Sequence, residues 1–334
     1  MQLKYSFIIP VYNRPQEVDE LLLSFKQMQT QVDYEVVIVE DGSSETSEYV
    51  IEKYANLSIS YYFKKNTGPG DSRNFGMQKA KGNYFIILDS DVILPENYLN
   101  EVDKSLKSHY VDCFGGPDKA HESFSTLQKA IDFSMTSFLT TGGIRGNKKA
   151  IDTFQPRSFN MGLSKKAFEV SKGFGSIHPG EDPDLTIRLW KLGFKTKLIP
   201  EAFVFHKRRV SWKTFYNQVR KFGLVRPILN KWHPQSKKIT YWFPSLFIIG
   251  LDVAILFLIF GVTWLFGLYI LYFGVLFLTA LLKTKNLKVS IMALGAVLIQ
   301  FFGYGLAFLE SYYHIHLLNK VPEDHYPQLF FKTK

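Results

Sequence analysis

The chain has 334 residues, of which 46% are hydrophobic, with a formal net charge of +10 and a single cysteine, Cys113. That length allows a full-sized soluble domain plus something extra. One cysteine excludes a disulfide framework within the chain and suits a reducing compartment.

The N-terminal stretch Met1 to Pro15 holds only a short apolar run, Phe7 to Val11. It is too short for a signal-peptide core, so the first domain is expected to stay in the cytoplasm. Ser6 to Val11 reads as a buried strand marked by Pro10. Pro15 opens a helix with Val18, Leu21, Leu22 and Phe25 on one face. Glu35 to Val39 is a second strand, closed by Asp41-Gly42-Ser43, and Ser44 is expected to cap a helix through Tyr54. Ser58 to Phe63 is a third strand, Asp71 to Lys81 a third helix, and Tyr84 to Leu88 a fourth strand. Pro95 is expected to start a further helix carrying Leu99, Val102 and Leu106. The order βαβαβαβ predicts an α/β fold with a mostly parallel sheet and helices on both faces. Ligands of such sheets bind at the carboxyl ends of the strands, where each polar cluster falls.

The second half differs. Ala202 to Leu251 contains ten Lys or Arg and no Asp or Glu, which equals the whole positive excess. From Ile239 to Leu282 the only charged residue is Asp252. A basic run against an apolar stretch reads as a cytoplasmic flank drawn to anionic lipid, in preference to a nucleic-acid surface. Spans are expected near Trp242–Phe260, Trp264–Leu282 and Val289–Leu309. Three spans would leave the C-terminus on the far side, and the mixed charges of the tail leave its side open. Trp212, Phe215, Tyr216, Val219, Phe222 and Gly223 recur at helical spacing. Ser211 to Trp232 is therefore expected to be amphipathic, broken near Pro227, with its apolar face on the membrane surface. The alternative is an apolar face packed on the catalytic domain, with the cations simply solvated. The expected domains are 1–210 (catalytic), 211–241 (basic interfacial), 242–309 (about three transmembrane helices) and 310–334 (tail).

Several clusters can carry chemistry. Asp89-Ser90-Asp91 after a buried strand can hold a hard divalent cation, or be a solvated turn. Asp41 can accept a hydrogen bond from a base or ribose, or close an Asx turn. Asn66 to Asn74 leads into a helix whose N-terminus favours anions, with Arg73 adding charge; it can equally be a plain capped loop. It is not a Walker loop, because no Gly-Lys-Ser/Thr follows. The first strand lacks Gly-x-Gly-x-x-Gly, which counts against a dinucleotide dehydrogenase. Asp182 before Pro183 suits an N-cap, and also suits a general base for an acceptor hydroxyl. His206 can complete a metal site or be structural. Lys207, Arg208 and Arg209 can neutralise a leaving diphosphate.

Taken in order, these pieces resemble family 2 glycosyltransferases of the GT-A fold, membrane-anchored bacterial type. The matching residues are Pro10-Val11-Tyr12-Asn13, Glu40-Asp41-Gly42-Ser43, Gly68-Pro69-Gly70 through Arg73-Asn74, Asp89-Ser90-Asp91, Asn160-Met161-Gly162 and Gly180-Glu181-Asp182. The similarity covers roughly residues 4 to 210. It implies inverting transfer from a nucleotide-diphosphate sugar, commonly a UDP-sugar, with Mg²⁺ or Mn²⁺. Asp41, supported by Arg73, would hold the nucleobase. Asp89 would contact the ribose or sugar, and Asp91 the metal, with His206 a frequent further contact. Asp182 would be the base. Pro10, Tyr12, Asn13 and Gly68 fall on the donor side, and Asn160 and Glu181 on the acceptor side. Gln218-Val219-Arg220-Lys221-Phe222 departs from the Gln-x-x-Arg-Trp of processive members, which favours single-sugar transfer. The expected acceptor is a hydroxyl of a membrane-associated glycan or lipid-linked acceptor. The alternatives are polyprenyl phosphate itself, or a non-catalytic membrane scaffold.

Overall fold

The computed structural model describes residues 3–119, 124–141, 154–206 and 211–331. In chain order the elements begin β1 (Tyr5–Val11), α1 (Pro15–Gln27), β2 (Tyr34–Asp41), α2 (Glu48–Ile51), β3 (Ile59–Lys64), α3 (Pro69–Lys79), β4 (Tyr84–Leu88) and β5 (Val92–Ile93). Next come α4 (Tyr98–Ser108), β6 (Cys113–Gly115), β7 (Asp118–Lys119), α5 (Thr126–Thr136), α6 (Phe138–Thr141), β8 (Asn160–Ser164), α7 (Lys165–Ser171) and α8 (Glu181–Lys191). The rest are β9 (Thr196–Leu198), β10 (Val204–His206), α9 (Trp212–Trp232), α10 (Phe243–Ile259), α11 (Trp264–Thr284), α12 (Leu287–Tyr312) and α13 (Pro322–His325). The chain divides into two compact units. The first is Met1–His121, Lys148–Lys207 and Phe330–Lys334; the second is Glu122–Asn147 and Arg208–Leu329.

The first unit is built on a sheet of order β3-β2-β1-β4-β8-β6-β9. The expected parallel pairing holds for β3, β2, β1 and β4. β8 then runs antiparallel to both β4 and β6, so the sheet is mixed. A second, small sheet has the order β5-β10-β7. Alternate residues of each central strand enter opposite layers. Phe7, Ile9, Val36, Ile38 and Ile86 pack with Leu21, Phe25, Leu99 and Val102. Ile8, Val37, Val39, Phe85 and Ile87 pack with Met77, Leu185 and Leu189. Burial on both faces is why these strands read as continuous apolar runs. The register sets Val11 opposite Glu40 and Asp41 opposite Lys64, and brings Asn160 opposite Leu88. One edge of the sheet therefore collects the polar ends of β1 to β4 and the start of β8.

Local boundaries differ from the sequence reading at several places. Ser44 caps nothing: its N–H and hydroxyl both donate to Asn13 Oδ1, and the helix begins only at Glu48. α4 starts at Tyr98 instead of Pro95. α8 starts at Glu181 with Gly180 in the cap position, so Asp182 lies in the first turn and is not the N-cap. α9 is one continuous helix containing Pro227, opened by a reciprocal Ser211–Thr214 cap.

In the second unit the apolar face of α9 is buried against other helices. Phe215 and Val219 pack with Ile131 and Met135 of α5 and Ala296 of α12. Glycines let the backbones approach: a β-carbon on Gly223 would lie 2.3 Å from the Tyr304 carbonyl oxygen, and one on Gly303 2.7 Å from Val219. Ser311 Oγ donates to the Leu224 carbonyl at 2.6 Å, and Arg220 pairs with Glu310 at 3.1 Å. The apolar face expected on a lipid surface is therefore covered by α12 and α5, because small residues on α12 make it a closer fit. Among the described residues, three helical segments are long and apolar enough to cross a membrane: Ile239–Ile259, Trp264–Thr284 and Leu287–Leu317. On α11 only Leu276 and Ala280 are buried.

Gly162 in β8 faces the Phe114 ring, and a β-carbon there would lie 2.0 Å from a ring carbon. Gly162→Ala is expected to cost about 1–3 kcal/mol through overpacking. Thermal unfolding of the full chain in detergent, compared with wild type, measures this.

Candidate active site

β4 carries Asp89 to the polar edge, and the turn through Ser90 delivers Asp91 to β5. β5 pairs antiparallel with β10, setting His206 opposite Val92. That pairing places His206 Nε2 3.0 Å from Asp91 Oδ1. Ligand atoms of Asp89, Asp91 and His206 all lie within 4.8 Å of one another. Arg14 Nη1 stands 3.6 Å from Asp91 Oδ2. Burial pushes the Asp91 carboxyl up, but His206 and Arg14 outweigh it and hold it below the usual range. His206 stacks on Phe159 with ring centres 5.1 Å apart, and its Nδ1 is buried without a hydrogen-bond partner. Two carboxylates and an imidazole form a donor set that suits Mn²⁺ and, through the carboxylates, Mg²⁺.

Arg73 lies behind this cluster on α3, 4% exposed. Its Nη2 donates to Asp89 Oδ1 at 2.8 Å and its Nη1 to Glu181 Oε1 at 3.1 Å. The guanidinium also lies over the Phe174 ring at 5.3 Å. Burial opposes its charge, but the carboxylates of Asp89, Glu181 and Asp182 keep it firmly protonated. Glu181 accepts from His178 as well, at 2.9 Å. Burial raises the Glu181 carboxyl, yet His178 and Arg73 prevail and hold it at about 2. Asp182, next in the chain, goes the other way. Burial first, then the Glu181 charge, push it from 3.8 to about 6, against the pull of Arg73 and Arg157. Its Oδ1 is buried without a partner. Two adjacent carboxylates thus have opposite tendencies, one held ionised and the other pushed toward its protonated form.

Asp41 holds the glycine loop from below. Oδ1 accepts from Lys64 Nζ at 2.6 Å and the Thr67 N–H at 3.0 Å, and Oδ2 from the Gly68 N–H at 2.9 Å. Gly68, at φ +95°, caps α3. Asn13, at φ +54°, accepts from the N–H groups of Ser44 and Glu45 and donates its own N–H to Ser43. It pins the ends of β1 and β2 together. Tyr12 beside it is exposed, and Pro10 remains within β1.

The two residues expected on the acceptor side, Asn160 and Glu181, have partners inside the protein. Asn160 is fully buried, accepting from Tyr98 Oη at 2.6 Å and donating to the Ala202 carbonyl at 2.7 Å. Each end of its amide has a partner inside the protein, and it fastens β8. Glu181 is buried between Arg73 and His178 and orients its surroundings. Arg208 and Arg209 lie outside the described residues. The sequence reading missed Arg14, Lys64, Phe174 and His178. Of these, only His178 carried a signal, its position three residues before Glu181.

This is an α/β domain with a carboxylate–histidine cluster at the strand ends and a partly buried carboxylate, Asp182, of raised pKa beside it. Residues 6–170, about half of the chain, match the model of glycosyl transferase family 2, and the chain belongs to that family. Poly(ribitol-phosphate) beta-N-acetylglucosaminyltransferase TarS of Staphylococcus aureus is 32% identical over 114 residues, 33% of this chain and 20% of TarS. Poly(ribitol-phosphate) beta-N-acetylglucosaminyltransferase TarP of the same organism is 31% identical over 132 residues, 38% of this chain and 40% of TarP. The matched segment thus spans a fifth to two fifths of these relatives' lengths. The mannosyltransferase PcManGT from Pyrobaculum calidifontis, solved with GDP-Man and Mn²⁺, superposes with a TM-score of 0.58 at 15% identity, covering 96% of this chain and 89% of its own. TarS residues 1–349 with UDP-GlcNAc give a TM-score of 0.50 at 18% identity, covering 93% and 91%. At these identities the likeness establishes the GT-A fold.

Removing Arg73 leaves Glu181 buried with only His178 beside it. Arg73→Leu is expected to cost about 3–5 kcal/mol at neutral pH. In the wild type, the depressed Glu181 favours the folded state above its ordinary value of 4.5, and that contribution is lost as pH falls toward about 2. The deficit of Arg73→Leu should therefore narrow on acidification below pH 4.5, because protonation relieves the unpaired charge. Unfolding measured across that range tests both sign and size.

Proposed function

We propose that this protein is an inverting, membrane-anchored glycosyltransferase that moves one sugar from a UDP-sugar to a hydroxyl of a membrane-associated glycan or lipid-linked acceptor. The observation that carries the reading is the Asp89–Arg73–Glu181 chain of ion pairs, which fixes the carboxylate–histidine cluster against the segment bearing Asp182. A donor-side site and a proton acceptor are thereby held at one strand edge, as sugar transfer requires.

Asp91 and His206 would hold Mg²⁺ or Mn²⁺, which neutralises charge on the departing diphosphate. Asp89 faces the same cluster and contacts the ribose or sugar. Asp41 and Gly68 line the nucleoside side, with Pro10, Tyr12 and Asn13 at the neighbouring strand end. Asp182, ionised above about pH 6, takes the proton of the acceptor hydroxyl through its unpartnered Oδ1. The oxygen then attacks the anomeric carbon on the face opposite the leaving diphosphate, which inverts the centre. The base favours a hydroxyl over a phosphate acceptor, because a phosphate is already an anion. The names of TarS and TarP, which describe transfer to poly(ribitol-phosphate), support a polyol or glycan hydroxyl. The apolar helices would anchor the enzyme and the basic flanks would keep the catalytic unit on the cytoplasmic face. Lipid-linked acceptors would then arrive by diffusion in the plane.

Turnover of a panel of nucleotide sugars by the purified full chain tests the reading; no release of nucleotide diphosphate with any donor and acceptor would sink it. Asp182→Asn is expected to fold, bind donor and lose turnover by roughly 10²-fold or more. The wild-type kcat/KM should rise with pH through about 6 as Asp182 ionises. Chelator or Asp91→Ala is expected to abolish transfer, with Mn²⁺ rescuing the chelated wild type and not the variant.

A further inference from the structure

The last described residues return to the first unit. Phe330 bridges antiparallel to Ile177, and the Phe331 N–H donates to the Ser176 carbonyl at 2.9 Å. The Phe331 ring lies against Gly68: a β-carbon there would meet three ring carbons at 2.3, 2.4 and 2.8 Å. Its centre is 6.0 Å from that of His178. Gly68 caps the donor-side helix and receives Asp41, and His178 holds Glu181 beside the base. One aromatic side chain from the end of the chain thus reaches both sides of the site.

That return also constrains the membrane path. The chain leaves the first unit after Lys207 and rejoins it at Phe330. Two points of one folded unit lie on one side of a bilayer, so the intervening segment crosses an even number of times. Three helices qualify by length and composition, and three crossings would part Phe330 from Ile177. α12 is the one that differs. Of its most apolar stretch 44% is buried, against 28% and 11% for the other two. It packs along α9, which carries Lys213, Arg220, Lys221, Arg226 and Lys231, and its Glu310 pairs with Arg220. α10 and α11 are joined by the uncharged turn Phe260 to Trp264, and their other ends are flanked by Lys237, Lys238, Lys283 and Lys285. At 1.5 Å per residue each is roughly 25–32 Å long, near the ~30 Å of a bilayer core.

We propose that Phe331 is a positioning residue of the transfer site, returned to it because α10 and α11 cross the membrane as a hairpin and α12 does not cross. The role of Phe331 rests on the donor-binding reading above; the two-crossing path does not.

The path is tested by single cysteines in the full chain, labelled with a membrane-impermeant maleimide in vesicles of known orientation. Cys113 is buried and stays silent. Lys104→Cys, Gln328→Cys and Thr263→Cys replace exposed residues. The first two should label from one face, and Thr263→Cys from the other. Gln328→Cys reacting only from the face opposite Lys104→Cys, or Thr263→Cys reacting from the same face, overturns the path. Phe331 is tested by UDP binding with Mn²⁺. Phe331→Ala should weaken affinity about tenfold through lost preorganisation, with Phe331→Tyr near wild type and melting unchanged. Equal affinity in Phe331→Ala and wild type overturns the role. A wild type that binds UDP but transfers no sugar defeats the activity reading alone, leaving both tests decisive.

Discussion

A buried guanidinium between two carboxylates governs the catalytic unit. Arg73 sits at 4% exposure and joins Asp89 on β4 to Glu181 at the start of α8. Taking such a charge out of water is expensive unless partners surround it. Here the partners come from segments more than ninety residues apart in the chain, so the ion pairs form only when the sheet edge and α8 are both in place. The same charge sets the chemistry beside it. His178, with Arg73 behind it, keeps Glu181 ionised against its burial, and burial first and the Glu181 anion second raise Asp182, which Arg73 pulls down.

Around this anchor, strand register does the positioning. Parallel pairing aligns the carboxyl ends of β1, β2, β3 and β4. The reversal at β8 brings Asn160 beside Leu88, where its amide ties Tyr98 to the Ala202 carbonyl. The short β5–β10 pairing then carries His206 to Asp91. A shift by one residue in that pair would turn His206 to the other face of the ribbon. The cluster is therefore a product of two sheets meeting at one edge.

The second unit follows a different rule. Its helices hold together through small residues and backbone carbonyls: Gly223 against Tyr304, Gly303 against Val219, Ser311 on Leu224 and Ser245 on Gly305. Small residues at these crossings let the helix backbones come close. Charge is handled locally, with Arg226 lying 4.4 Å over the Tyr241 ring and Arg220 on Glu310.

Sequence alone determined the alternation of strands and helices, the apolar C-terminal helices and the identity of the polar clusters. Each depends on neighbours along the chain: β-branched runs, Pro15 at a helix start, the unbroken apolar stretch after Ile239. It also named Asp89, Asp91, His206 and Asp182, because acidic and histidine side chains at strand ends are visible as letters. Tertiary structure decided what those letters do. Asp182 is not the cap of α8, since Gly180 takes that position. Asn160 and Glu181 point into protein, because Tyr98, Ala202, Arg73 and His178 are brought to them from distant segments. The apolar face of α9 gave the right period but not its partner, since α12 and a lipid surface make the same demand on a helix. The seat of Phe331 against Gly68 had no signal at all in the sequence. A contact between residues hundreds of positions apart depends on the path of the backbone, and composition and periodicity carry no record of that path.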